Sequence, residues 1–342
     1  MNDHDEMMTE NYETDEESVL IASERYDLAS AFNELNSRVE ARTSKSLLFG
    51  LSGLSRSEGD QFEAVWQGLD PGYRRRVLRD LLAFAEANVE MDYRQVGLVG
   101  LIDVDPVVRE TAVELLWEDE SLEVMNQLVQ LAAQDPAPSV RAAAATALGR
   151  FILLGELGDL PEEATVPAQD IAIRLLQDPN EPVEVKRRAL EAIANCSHPI
   201  VPGAIESAYH SEGQLMRVSA LYAIGRSCDE RWEDIVLEAL EVDDAEMRYE
   251  AARAAGELEI AEAVPLLGRL ILDDDREILE VVIWSLGEIG GKEAVRILEA
   301  LAETAEETED DVLMEAIEDA IGNASLAEGL FGAYDIDLDN DR

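Results

Sequence analysis

Cysteine and histidine are scarce in this chain, two Cys and three His in 342 residues, yet four of the five lie between positions 196 and 228. Cys196, His198, His210 and Cys228 carry the soft N and S donors that suit zinc. Their spacing, Cys-x-His, 11 residues, His, 17 residues, Cys, matches no usual zinc module, and two ordinary inter-helix thiols with two surface imidazoles are the favoured reading. No metal centre is expected, and this set is the one candidate. Asp335, Asp337, Asp339 and Asp341 alternate as in a calcium loop, but the sixth-position Gly and twelfth-position Glu are missing, which leaves only nonspecific cation binding. There is no phosphate-cradling glycine loop, dinucleotide fingerprint or nucleophile-elbow serine. No catalytic residue and no cofactor are expected.

The positioning elements are repeated helices. Met216-Arg217-x-x-Ala220-x-x-Ala223-Ile224-Gly225 recurs as Met247-Arg248-x-x-Ala251-x-x-Ala254-Ala255-Gly256 and as Ile278-Leu279-x-x-Val282-x-x-Ser285-Leu286-Gly287, at steps of 31 residues. Looser copies begin at Val108, Val140, Val185 and Leu313, and a degenerate first copy at Asp70-Pro71. A longer gap marks an insertion near residues 151–170. A preceding helix keeps the same register, with Trp232, Ile235, Val236 and Ala239 answered by Ala263, Leu266, Leu267 and Leu270. Apolar residues at i, i+3, i+4 and i+7 give each helix one buried face. Acidic turns separate the two, among them Asp105-Pro106 and Asp135-Pro136, where Asp caps the next helix. The expected fold is all-α, an α-solenoid of seven to eight helical hairpins.

The Asp-Pro turns and the Val-Arg-x-x-Ala-x-x-Ala-Leu-Gly pattern resemble the HEAT-like repeats of the phycobilisome-lyase type, over residues 70–325. The resemblance implies that the Val-Arg helices line a concave side. It also implies an inter-repeat ladder in which Asp105, Asp135, Asp178 and Asp243 partner Arg109, Arg141, Lys186 and Arg248. Leu279 and Met314 break the basic position, so the ladder should fade toward the C-terminus. HEAT-type deoxyhypusine hydroxylases carry His-Glu iron ligands, and this chain has no His-Glu dipeptide.

On the second helix of each repeat, positions 1, 5, 8 and 9 point inward, while 3, 6, 7 and 10 share the opposite side. That side should be polar. It instead carries Leu190, Val218, Leu221, Tyr222, Tyr249, Arg253, Ile283 and Trp284, with Trp117 in the analogous place of an earlier repeat. Aromatics and arginine are the usual anchors of protein interfaces, so Trp117, Leu190, Leu221, Tyr222, Tyr249, Arg253, Ile283 and Trp284 form a candidate partner-binding groove. Packing between neighbouring repeats is the alternative for the same residues.

Composition sets the partner. With 75 acidic against 27 basic residues the net charge is −48, which disfavours nucleic acid and anionic lipid and favours a basic or Arg-rich protein. Only three of the basic residues are Lys, so adaptation to salt or a lineage-wide acidity stays open. Arg74, Arg75, Arg76 and Arg79 are the one basic cluster, read as ordinary helix charges or as a dock for an acidic N-terminal arm. Residues 1–24 hold nine acids and no Lys or Arg, and are expected to be an acidic disordered arm. Residues 25–69 are expected to be an irregular helical cap, and 326–342 an acidic tail. No secretory leader or membrane span is expected, and the location expected is cytoplasmic. The function expected is a noncatalytic protein-binding scaffold acting through the concave face. A bilin-lyase-like enzyme subunit and an acidic assembly chaperone are the alternatives.

Overall fold

Capping carboxylates set where four helices of the repeats begin, while the helices starting at Pro138, Val183 and Gln214 have no side-chain cap. The Asp70 side chain accepts from the Gly72 and Tyr73 amides, Asp105 from Val107, Asp244 from Met247 and Asp275 from Glu277. Pro71 and Pro106 follow directly, at positions where a missing N–H has no intrahelical partner to lose. The computed structural model describes residues 28–37, 43–273, 275–308 and 310–335, except the side chains of residues 307–308 and 326–335. The expected arm 1–24 and the Asp337, Asp339 and Asp341 end of the tail lie outside the described residues.

Among the described residues there are eighteen α-helices, two single 3₁₀ turns and no strand, and the chain is an all-α solenoid of helical hairpins. The structure divides into two compact units, Met1–Gln127 and Leu128–Arg342. The first holds α1 (Leu28–Ser37), α2 (Lys45–Gly50), α3 (Arg56–Trp66), α4 (Pro71–Ala87), α5 (Arg94–Leu101) and α6 (Pro106–Leu115), and the boundary falls within α7 (Leu122–Gln134). The second continues with α8 (Pro138–Leu157), α9 (Glu162–Gln177), α10 (Val183–Ile193), α11 (Val201–Tyr209), α12 (Gln214–Arg226), α13 (Glu233–Ala239), α14 (Ala245–Glu257), α15 (Val264–Leu270), α16 (Arg276–Ile289), α17 (Gly291–Thr308) and α18 (Asp311–Asp335). No helix of the described residues is long and apolar enough to cross a membrane.

In the first unit α4 packs on α6 and α5 on α6, while Phe62 and Trp66 of α3 are buried. In the second unit the second helices of the hairpins, α8, α10, α12, α14, α16 and α18, pack side by side in one row, and the first helices α9, α11, α13, α15 and α17 each pack on their own second helix. The residues at position 6, Leu190, Leu221, Ala252 and Ile283, are all buried, as are the position-10 glycines Gly149, Gly225, Gly256 and Gly287. A Cβ added to Gly149, Gly225, Gly256 or Gly287 would come within 3.1, 3.1, 2.9 and 3.0 Å of the Cα of Ala192, Ala254, Ser285 and Ala320, each on the next second helix. The repeat glycine therefore permits close helix approach, and the fully buried Ser285 hydroxyl donates to the Ala252 carbonyl at 2.8 Å across the same seam.

Left-handed backbone recurs with the repeat. Cys228, Glu259 and Gly290, each 31 residues apart, have φ of 48°, 51° and 67° where one repeat passes to the next. Only the third copy uses the residue that takes this conformation without a Cβ penalty. The insertion near 151–170 is absorbed as helix: α8 is extended to 20 residues, and its Phe151 and Ile152 are buried with Thr165 of α9. The last helix carries the chain past residue 325, to Asp335.

Candidate functional site

Packing of the second helices in a row leaves positions 3 and 7 open on α14 and α16, at Tyr249, Arg253, Glu280 and Trp284, whereas Glu191 and Val218 at the same positions of α10 and α12 are buried. Position 7 reads Glu191, Tyr222, Arg253 and Trp284 along α10, α12, α14 and α16. Trp284 is 39% exposed, an unusual placing for the largest apolar side chain. The Arg253 guanidinium lies over the Tyr222 ring, 4.6 Å from its centroid, and donates to Glu257 Oε1 at 3.0 Å. Burial works against the Arg253 charge, but Glu257 and Glu250 outweigh it and its pKa is raised. Beside this stack Tyr249, Arg253, Glu257, Glu277, Glu280, Val281 and Trp284 line a cavity of about 410 Å³.

The structure thus brings Tyr222, Tyr249, Arg253 and Trp284 together and takes three residues out of the expected groove. Leu190, Leu221 and Ile283 are buried because position 6 faces the neighbouring second helix. Trp117, 45% exposed, belongs to the first unit, where it lines a cavity of about 700 Å³ with Leu82, Val89, Met91 and three glutamates. One of these, Glu114, has its carboxyl pKa raised by burial and by Glu110 and Glu86.

Polar residues that the periodicity did not single out lie next to the site. The buried Ser219 hydroxyl donates to Glu191 Oε1 at 2.5 Å and accepts from Arg187 Nε at 3.0 Å, and Arg188 donates to Glu191 Oε2 at 2.8 Å. Glu250 is nearly enclosed. Its Oε2 stands 3.7 Å from Arg253, within ion-pair range, but makes no hydrogen bond. Burial first, and the Glu191 and Glu257 charges next, push its carboxyl up to about 7 against the pull of Arg253 and Arg187. Position 4 of a repeat helix carries no apolar signal, so nothing in the pattern marked it.

The inter-repeat ladder runs between different partners from those expected. Asp105 is held by Arg75 at 2.6 Å, not through its own repeat's Arg109, whose guanidinium donates to the Asp103 carbonyl at 2.7 Å. Arg141 pairs with Glu181 at 2.7 Å and donates to the Asp135 carbonyl at 2.7 Å, while Arg248 pairs with Asp273 at 2.8 Å and donates to the Asp243 carbonyl at 2.8 Å. Each of these arginines reaches from a second helix to the turn of the following repeat. Lys186 makes no ion pair among the described residues; Asp178 instead accepts from the Asn180 backbone, the first cause of its lowered pKa. The ladder does not fade at Leu279, because Arg276 takes over with Asp310 at 2.6 Å. The basic cluster is wired internally too: Arg74 is buried against Asp103 at 2.9 Å and Arg75 is the partner of Asp105.

Of the candidate zinc set, Cys196, His198 and Cys228 line one cavity, whereas His210 caps the end of α11 with its ring edge against Tyr209. Burial raises the Cys196 thiol pKa, which disfavours the thiolate that a metal needs. Among the described residues no three His, Cys, Asp or Glu side chains are grouped to hold a metal ion.

No curated protein matches the chain. Among solved structures it is similar to the Escherichia coli YibA protein, at 18% identity over 84% of this chain and 98% of that one, with a TM-score of 0.47. It is similar to human deoxyhypusine hydroxylase at 17% identity over 87% and 97% of the two chains, with a TM-score of 0.34. Kap95 in its complex with Nup1 matches at 15% identity over 87% of this chain and 47% of that one, with a TM-score of 0.45. The segments that carry α6, α8, α14 and α16, residues 98–168 and 233–321, are where the family model of HEAT repeats matches the chain.

Proposed function

We propose that this protein is a noncatalytic scaffold that binds a basic, arginine-rich protein through the open face of its second helices. One observation carries the reading: Tyr249 and Trp284 line an open cavity among Glu257, Glu277 and Glu280, beside position-6 residues Leu190, Leu221 and Ile283 that are buried. Exposed aromatics that the core does not use are the side chains that anchor protein interfaces. The net charge of −48 supplies the long-range attraction for a basic partner and repels nucleic-acid phosphate. Two free cysteines agree with a reducing cytoplasm.

Affinity capture from the cells that make the protein tests this. Tyr249→Ser with Trp284→Ser should lose the captured protein while helical circular dichroism is retained. Raising salt from about 0.1 to 1 M, which shortens the screening length from about 10 to 3 Å, should weaken capture by the wild type. Undiminished capture by the double variant would reject this face as the binding surface.

A further inference from the structure

We propose that the cavity between Tyr249 and Trp284 is an arginine subsite, which seats the guanidinium of one partner side chain on the Trp284 indole between Glu277 and Glu280. The proposal rests on the basic-partner reading above and names the group that this cavity takes.

The protein already contains one such stack. Arg253 lies over the ring of Tyr222, one repeat earlier on the same position-7 row, with its charge engaged by Glu257. Along that row the order is ring, guanidinium, ring: Tyr222, Arg253, Trp284. The second ring has no cation over it among the described residues, and it is the exposed one. The lining holds three carboxylates, Glu257, Glu277 and Glu280, against one guanidinium, Arg253, so its formal charge is −2. Glu257 is used by Arg253, and Glu280 is shared with the exposed Arg276 at 2.9 Å. The Glu277 carboxylate has no hydrogen bond or ion pair among the described residues, so an incoming cation meets a free acceptor there.

Charge alone would admit lysine. The lining favours arginine for three reasons. A planar guanidinium can lie on an indole while its edge faces carboxylates; it is more weakly hydrated than an ammonium; and its fork can bind a carboxylate through two parallel hydrogen bonds. The cavity of about 410 Å³ is within the range of ligand pockets and far too small for a folded surface, which limits the occupant to one long side chain.

The test is a titration of the full chain with hexa-arginine and with hexa-lysine, peptides of equal charge, at low ionic strength. It follows the four tryptophan indole N–H signals by nuclear magnetic resonance and assigns Trp284 with Trp284→Phe. Hexa-arginine should move the Trp284 signal, and hexa-lysine should bind while leaving it largely in place. Glu277→Gln with Glu280→Gln, both exposed and so tolerant of change, should weaken hexa-arginine about tenfold and hexa-lysine much less. Binding of both peptides with the Trp284 signal unmoved, or equal movement by both, overturns the subsite and leaves the basic-partner reading standing. Failure of both peptides to bind the wild type overturns that reading and the subsite with it.

Discussion

Asp103→Ala should destabilise the first unit by about 3–5 kcal/mol, the cost of leaving a buried charge without its partner. Asp103 accepts from the Trp66 indole at 2.7 Å, from Arg74 at 2.9 Å and from the Asp105 amide at 2.8 Å, with its side chain 1% exposed. Truncation strands the Arg74 guanidinium, itself 7% exposed, and also removes the acceptor of a buried indole. It further loosens the turn that places Asp105 for Arg75. Arg75→Ala is the control: its side chain is 44% exposed to screening solvent, so its loss should cost far less than that of Asp103. Urea unfolding of the two variants checks the contrast, and near-equal midpoints would show that Asp103 is not the keystone of that cluster.

Glu250→Gln should act in the opposite direction, with a size set by pH. In the folded chain the Glu250 carboxyl titrates at about 7 instead of the ordinary 4.5, so folding favours its protonated form. Its favourable contribution is present in full below about pH 4.5 and is lost as pH rises through about 7. At pH 8 the wild type therefore holds an enclosed, incompletely bonded carboxylate. There the amide should be more stable by as much as about 3 kcal/mol, since a tenfold change in proton affinity is worth about 1.4 kcal/mol. The gain should shrink toward zero near pH 4.5. Unfolding curves of both proteins at the two pH values measure this, and an equal difference at both would separate the effect from ionisation.

Periodicity revealed the hairpins because one apolar stripe per helix must be buried, and a step of 31 residues repeats that stripe faithfully. It could not separate position 6 from position 7. Both lie opposite the stripe at 100° per residue, but a second helix in a row also buries the flank that meets its neighbour, so Leu221 is core while Tyr222 supports Arg253. The glycines show the same limit, since a residue without a side chain does not announce which backbone approaches it, and Gly256 is spaced for Ser285. The ladder was legible in its residue types but not its partners. Arg248 and Asp243 are neighbours in sequence, whereas the long Arg side chain spans from its own turn's carbonyls to Asp273 of the next repeat. Asp103 and Glu250 carried no signal at all, because burial of a single charged residue depends on what three helices place around it.

Hydrogen exchange of the full chain, alone and with its captured protein partner, decides whether the open face of the second helices is the binding surface. Docking on that face slows amide exchange in Ala245–Glu257 and Arg276–Ile289, the helices that carry Tyr249, Arg253 and Trp284. Slowing confined to first helices such as Glu233–Ala239 and Val264–Leu270, with those two second helices unchanged, would contradict it.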